Sequence, residues 1–453
     1  MPFYNKKVLV LGAGVSGISV AHILQCRGAQ VILSDAKELN LLKNKDFSVI
    51  NECGVVLALG RQDPALLEAI DYVVVSPGIS IDIPLIKVAQ SKGITVMSEI
   101  EVAYRLCLVP IVAITGTNGK TTTTTLIGEM MKKAKRDVAV GGNIGLALSQ
   151  EVVGVGDTGI VIAEISSFQL EGIIDFHPHI SAILNITPDH LDRHHSIENY
   201  IATKERVFVN QTNNDYIVLN YDDITVRDMN NRVPSKVFFF SRQTELPLGI
   251  FIKDGIITIK WAGKKLQVCP ITCIKLRGGH NIENVLAACG IAFLAGVKLA
   301  DMVQTIHDFT GVEHRIEMVT RVNDVAYYND SKATNPESSI KALESFTKNV
   351  ILIAGGRDKN TDLNTFMQLV KDKVDHLILI GEATARFRKV ATEFGVQNIH
   401  NAVSLPDAVH LAHKLAESPQ VILLSPACAS YDMFNSYEER GKIFKKLVHD
   451  LKC

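Results

Sequence analysis

The chain has 453 residues, 47% of them apolar and 21% charged, with a formal net charge of -1. Near-neutrality excludes a global field that would steer it to nucleic acid or anionic membrane, so an anionic ligand must meet local cations. At roughly 150 residues per domain the length predicts about three domains.

No run of about 18 apolar residues exists to span a bilayer. Met1 leads directly into Lys7-Val-Leu-Val-Leu11 without an apolar leader, so the expected location is the cytoplasm. Eight Cys, at 26, 53, 107, 269, 273, 289, 428 and 453, form no Cys-x-x-Cys pair. They read as reduced, buried thiols, with Cys26, Cys289 and Cys428 in apolar segments.

Short apolar runs alternate with amphipathic stretches of helix length, the pattern of parallel sheets covered by helices. Strands are predicted at 8–11, 31–34, 55–59 and 72–75. The first enters Gly12-Ala-Gly14-Val15-Ser16-Gly17 and a helix, and Asp35 follows Gly17 by 18 residues. Such a loop lets backbone amides approach a diphosphate at a helix N-terminus while an acid holds a ribose. Ser76-Pro77-Gly78-Ile79, after the strand at 72–75, borders the same crevice. A nicotinamide oxidoreductase and a nucleotide-sugar binder both fit this pattern. The short span before a second glycine loop favours the latter, and a seam is expected near 98.

Ile111-Val-Ala-Ile-Thr115-Gly116-Thr117-Asn118-Gly119-Lys120-Thr121-Thr122 is a strand, a glycine loop and a helix start. Loop amides can cradle phosphates, Lys120 can reach the β/γ oxygens, and the Thr121 hydroxyl can bind Mg²⁺. Glu164, closing a predicted strand at 160–163, offers a carboxylate at the same crevice. After a strand at 181–184 comes Asn185-Ile-Thr187-Pro-Asp189-His190-Leu-Asp-Arg193-His194-His195. With His177 and His179 it gathers five of the 14 histidines. Hard ligands beside a phosphate loop favour Mg²⁺ over zinc, and His194 and His195 read as solvated. A strand is predicted at 217–219 and a small antiparallel patch at 236–276, turning at Asp254-Gly255.

A second seam is expected near 310–311. Strands at 325–328, 350–354, 377–380 and 421–424 follow, and the motifs Tyr328-Asn-Asp330-Ser-Lys332-Ala-Thr334-Asn335 and Ser425-Pro-Ala-Cys428-Ala-Ser430-Tyr431-Asp432 follow two of them.

Gly116-Thr-Asn-Gly-Lys120-Thr121, Glu164-Ile-Ser-Ser-Phe-Gln-Leu170, Asp189-His190-Leu-Asp-Arg193 and Gly279-His-Asn281-Ile-Glu-Asn284 together resemble the Mur ligase family over the whole chain. The motif at 328–335 resembles its D-glutamate-adding branch. The resemblance implies an α/β protein of three domains. These are a Rossmann-like UDP-sugar domain (1–98), a P-loop-type ATPase domain with the antiparallel patch (99–311) and a Rossmann-like amino-acid domain (312–453). It implies ATP-dependent amide formation between UDP-N-acetylmuramoyl-L-alanine and D-glutamate by a monomer, with no nucleic acid or membrane partner.

Residue by residue, the resemblance implies that Gly14, Val15, Ser16, Asp35, Ser76, Pro77, Gly78 and Asn143 meet the UDP substrate. Residues 116–122 with Asn281, Arg315 and Asp330 would hold ATP. Lys332, Thr334, Lys359, Ser430, Tyr431 and Tyr437 would hold D-glutamate. Two Mg²⁺ ions would sit on Thr121, Glu164, His190 and a carbamylated Lys204, and Lys120, Glu164, His190 and Lys204 would serve catalysis.

Overall fold

The computed structural model describes residues 2–42, 47–358 and 361–451. The chain divides into two compact units, one of residues 1–273 and 283–308, the other of 274–282 and 309–453.

The first unit carries two sheets. The smaller has β1 (Lys7–Leu11), β2 (Gln30–Asp35), β3 (Val56–Leu59), β4 (Tyr72–Val75) and β5 (Thr95–Ser98), in the order β3-β2-β1-β4-β5 and all parallel. Val8 to Leu11 are fully buried, because helices cover both faces of a parallel sheet and an unbroken apolar run can fill both. Each such side chain contributes about 1.5–3 kcal/mol of burial. The order reverses between β1 and β4, which opens a crevice at their carboxyl ends.

The larger sheet has β6 (Ile111–Thr115), β7 (Val138–Gly142), β8 (Ile160–Glu164), β9 (Ile180–Ile183), β10 (Tyr216–Asn220), β11 (Lys236–Ser241), β12 (Gly249–Lys253), β13 (Ile256–Trp261) and β14 (Lys264–Pro270). Its order is β14-β13-β12-β11-β10-β9-β6-β8-β7. The chain leaves β6 towards β7 on one side and returns to β9 on the other, so the switch point lies at β6. The antiparallel patch needs correction: Lys236–Ser241 pairs parallel with both neighbours, and only Gly249–Pro270 is antiparallel. The patch is no separate sheet but the edge of the nine-stranded one. Its first turn is as expected, with Asp254 and Gly255 both at positive φ (50° and 74°), the geometry of a tight hairpin.

One apolar core joins the two sheets, running from Phe3 and Val10 through Ile100 and Ala103 to Leu148, Leu170 and Met229. Glu101 is buried within this region and accepts backbone N–H groups of Ile174, Asp175 and Phe176, with Arg105 as its ionic partner.

The second unit has β15 (Glu317–Val322), β16 (Val325–Asn329), β17 (Val350–Gly355), β18 (Val374–Ile380), β19 (Ile399–Asn401) and β20 (Val421–Leu424), in the order β15-β16-β20-β17-β18-β19. All pair parallel except the edge strand β15. The strands β5, β7 and β19 escape sequence reading because they are short or end in glycines, and periodicity is weakest there.

Among the described residues no helix is long and apolar enough to cross a membrane.

Candidate active site

In the smaller sheet, β1 turns through Gly12 at φ 98° into the helix Val15–Cys26, which Gly14 caps. A Cβ on Gly17 would lie 1.8 Å from the Gly12 carbonyl oxygen, so this helix and turn touch only because residue 17 has no side chain. Asp35 accepts the Ala13 N–H at 2.8 Å and the Lys37 N–H at 2.9 Å. Ser76 donates its hydroxyl to the Gly12 carbonyl at 3.0 Å. The acid and the serine therefore shape the glycine loop. Val15 is 61% exposed, Gly78 is exposed, and Ser16 and Pro77 are half-buried.

At the carboxyl end of β6, residues 116–119 lead into the helix Lys120–Lys133. Gly116 and Gly119 have φ of 146° and 87°. A Cβ on Gly119 would stand 2.1 Å from Asn284 Oδ1, so the loop can lie on the helix Gly279–Leu294 only as glycine.

The stretch after β9 clamps the loop. Asn185 accepts from Thr117 N (3.0 Å, backbone oxygen) and Asn118 N (2.8 Å, side chain), and donates its side-chain amide to the Asn118 carbonyl at 3.0 Å. The Thr117 hydroxyl lies 3.2 Å from the Tyr200 hydroxyl and donates to the Thr187 carbonyl at 3.1 Å. Burial pushes the Tyr200 phenol up, so it stays neutral. Lys120 donates to the carbonyls of Gly116 (2.9 Å) and Thr117 (2.8 Å). Thr121 and Thr122 are buried in the first helical turn.

Glu164 ends β8, and its side chain is nearly enclosed at 2% exposure. Its Oε1 accepts the Asn143 amide at 2.8 Å, whereas Oε2 is buried without a hydrogen-bond partner. A buried carboxylate oxygen left bare is costly, and a hard cation is the partner such an oxygen suits.

Lys204, on the helix Ile197–Glu205, is 1% exposed. Its amine donates to the Gly116 carbonyl at 2.9 Å and lies 4.6 Å above the Tyr200 ring. Burial first, and the charge of Lys120 second, push this amine well below its ordinary range, with Asp189 and Glu164 opposing. Lys120, Asp189 and Glu164 thus all lie within electrostatic reach of Lys204. His190 takes a left-handed φ of 53°, is half-exposed, and holds its ring 4.8 Å from that of Phe168, tilted by 58°.

In the second unit, Asp330 follows β16. It accepts the Ser425 hydroxyl at 2.7 Å and the Ile316 N–H at 3.2 Å. Burial raises its carboxyl to about 7 against the help of Ser425 and Arg315. Lys332 carries its ammonium 5.7 Å above the Tyr437 ring. Arg440, fully buried, donates to the Ser331 hydroxyl and carbonyl and to the Cys428 carbonyl, joining the loops after β16 and β20. Ser430 is buried and Tyr431 66% exposed. Asn281 donates to the Arg277 carbonyl at 2.7 Å. Lys359 lies outside the described residues.

Residues 6–98 match the Mur ligase MurD-like N-terminal domain, 114–292 the Mur ligase middle domain and 314–428 the Mur ligase glutamate ligase domain. A curated UDP-N-acetylmuramoylalanine--D-glutamate ligase of Thermoanaerobacter sp. (strain X514) is 46% identical over the full length of both chains. One of Clostridioides difficile (strain 630) is 41% identical, again over both whole chains. The chain belongs to the Mur ligase family.

Solved structures share the fold at low identity. A pseudomurein peptide ligase type C from Methanothermus fervidus is 17% identical with a TM-score of 0.62, covering 99% of this chain and 100% of that one. A UDP-N-acetylmuramate-alanine ligase from Thermotoga maritima is 16% identical with a TM-score of 0.61, covering 98% and 99%.

In this Mur ligase the carboxyl ends of β6, β8 and β9 bring Gly116–Thr122, Glu164 and Asn185 to one edge, because parallel neighbours end on the same side. Several residues at that edge carried no assigned role in the sequence. Asn185 and Tyr200 hold the loop. Arg193 donates to the Ile79 carbonyl at 2.8 Å, pairs with Glu171 and lies over Phe168. It thereby links the phosphate-loop edge to the segment beside Ser76–Gly78. Its signal was present in the motif at 189–193.

Two expectations are corrected. His194 is buried, with Nε2 2.9 Å from the Ser167 hydroxyl, and only His195 is exposed. Its ring sits between Phe168 and Tyr200, which exclude solvent. Cys26 is exposed, because the last turn of its helix leaves the core, and Cys53, Cys107 and Cys273 are half-buried, whereas Cys269, Cys289 and Cys428 are buried as expected. His177 and His179 both contact Asp215, at 2.6 and 3.1 Å, and line a cavity with Cys107 and Ile111 at the opposite ends of the strands.

Proposed function

We propose that this Mur ligase joins D-glutamate to UDP-N-acetylmuramoyl-L-alanine in the cytoplasm, cleaving ATP to ADP and phosphate as the amide forms, for peptidoglycan precursor synthesis. The observation that carries the reading is the single edge where the phosphate loop, Lys120, the bare Glu164 oxygen and Lys204 converge. The full-length identity to curated D-glutamate ligases supports the choice of substrates.

An amine does not displace oxide from a carboxylate, so the acid is activated first. The L-alanine carboxylate oxygen attacks the γ-phosphorus of ATP, the bond to the β-phosphate oxygen breaks, and ADP leaves. The D-glutamate amine then adds to the carbonyl of the resulting acyl phosphate. It loses a proton, and phosphate departs with the C–O bonding pair. The first step drives one anion against a polyanion and requires concentrated positive charge.

Lys120 and the amides of Gly116 to Thr122 are assigned to the triphosphate. Glu164 and Thr121 would hold one Mg²⁺, and His190 with a carbamylated Lys204 a second. Such ions screen the repulsion and stabilise the transferring phosphoryl oxygens. Burial disfavours the Lys204 ammonium and so suits this side chain to carbamylation: the neutral amine adds to carbon dioxide and releases one proton to water, leaving an anion.

Gly14, Val15, Ser16, Asp35, Ser76, Pro77 and Gly78 are assigned to the UDP portion, and Asn143 to the muramyl portion. In the second unit Asn281, Arg315 and Asp330 are assigned to the nucleotide. Lys332, Thr334, Lys359, Ser430, Tyr431 and Tyr437 are assigned to D-glutamate, whose two carboxylates call for cations. The division into domains 1–98, 99–311 and 312–453, acting as a monomer, belongs to the same proposal.

The test is ADP release by purified protein, with each substrate omitted in turn. The reading requires both D-glutamate and the muramyl-alanine nucleotide, and amide product equal to phosphate released. Undiminished amide formation by Lys120→Ala overturns it.

A further inference from the structure

Away from both crevices, three side chains converge at the far end of the helix Val15–Cys26. His22 and Cys26 are four residues apart and share one helix face. Cys26 is the last residue of this helix, and Cys53 is the C-terminal cap of the helix Ser48–Glu52. Cys26 Sγ lies 3.4 Å from His22 Nε2 and 3.8 Å from Cys53 Sγ. All three ligand atoms lie within 4.8 Å of one another. Cys26 is exposed, and His22 and Cys53 are half-buried, so solvent reaches the cluster.

The two separations from Cys26 are those of a metal's ligands. Two thiolates on one tetrahedral zinc, each at about 2.3 Å, stand about 3.8 Å apart, and a thiolate and an imidazole about 3.6 Å apart. Two helices end here, and their last carbonyls favour a cation. Burial, with the hydrogen bond to Cys53 and its charge, raises the Cys26 thiol. Adjacent thiolates repel, and a divalent cation removes that repulsion by taking the place of their protons.

We propose that His22, Cys26 and Cys53 form a surface site for a thiophilic divalent cation of the Zn²⁺ class, with water completing the tetrahedron. Binding releases the two thiol protons to buffer and involves no change of oxidation state. Because Gly14 caps the other end of the same helix, the cation fastens the glycine-loop helix to the helix Ser48–Glu52.

The experiment adds Co²⁺ to the reduced full-length protein and follows thiolate-to-cobalt charge-transfer absorption. One equivalent should produce the band and Zn²⁺ should abolish it. C26S and C53S should each lose it, while circular dichroism shows them folded. In the unaltered protein, Zn²⁺ should slow alkylation of Cys26 and Cys53 at least about tenfold and leave Cys107 unchanged. Absence of the band, or its survival in the C26S/C53S double variant, overturns the proposal. So does a reduced protein that takes up no metal but closes a Cys26–Cys53 disulfide on oxidation.

Discussion

Lys120 and Lys204 donate to the same backbone oxygen, that of Gly116, each at 2.9 Å. Lys204 is buried, and two ammonium groups on one acceptor also repel, so its amine is driven towards the neutral form that reacts with carbon dioxide. Protein equilibrated with ¹³C-bicarbonate should show a carbamate carbon resonance that disappears in Lys204→Ala. The same substitution should slow ADP release by about 10²–10³-fold, the scale of losing one charge-stabilising group. A fully active enzyme without that resonance would remove the carbamate from the mechanism.

Glu164→Gln keeps the side chain's shape and an oxygen that can accept from Asn143, but discards the charge on the buried unpaired atom. The Mg²⁺ concentration giving half-maximal turnover should rise at least about tenfold, with little change in thermal stability. An unchanged Mg²⁺ requirement would show that the cation is held elsewhere.

Gly119→Ala places a methyl group 2.1 Å from Asn284 Oδ1 at a φ of 87°. Left-handed backbone on a residue with a Cβ costs about 1–3 kcal/mol, and here the contact forces the loop off its helix in addition. Chemical denaturation should register a loss of at least this size, and ATP should bind more weakly. Wild-type stability with wild-type ATP affinity would refute the packing described for this loop.

Asp330 sets a pH dependence. Burial raises its carboxyl from 3.8 to about 7 in the folded protein, so between those values the folded state binds more protons than the unfolded one. Stability from this group is present below about pH 4 and is lost as pH rises through about 7. The full shift corresponds to about 4 kcal/mol. Denaturation of the wild type and Asp330→Asn at pH 5 and pH 8 should show the wild type losing more stability over that interval. Parallel losses would mean that Asp330 stays ionised throughout.

Much of the edge at β6 was legible without coordinates. A buried strand, Gly116 to Thr121 and a helix follow one another along the chain, so local order alone places Lys120 at a helix N-terminus. Asp254-Gly255 likewise announced its turn, since two successive positive φ angles require such residues. The parallel pairing of Lys236–Ser241 was not legible, because strand direction depends on the partner rather than on the strand's own side chains.

Most of the strands in their order, the two glycine loops and the residue types able to handle phosphate can be read from the amino acids alone, because these depend on near neighbours. It takes packing in three dimensions to bury Lys204 on the Gly116 carbonyl, to clamp the loop with Asn185 and Tyr200, and to leave one oxygen of Glu164 bare. Cys26 meets Cys53 across 27 positions for the same reason. Burial and contact between distant segments are set by how sheets and helices stack, and no local pattern encodes them.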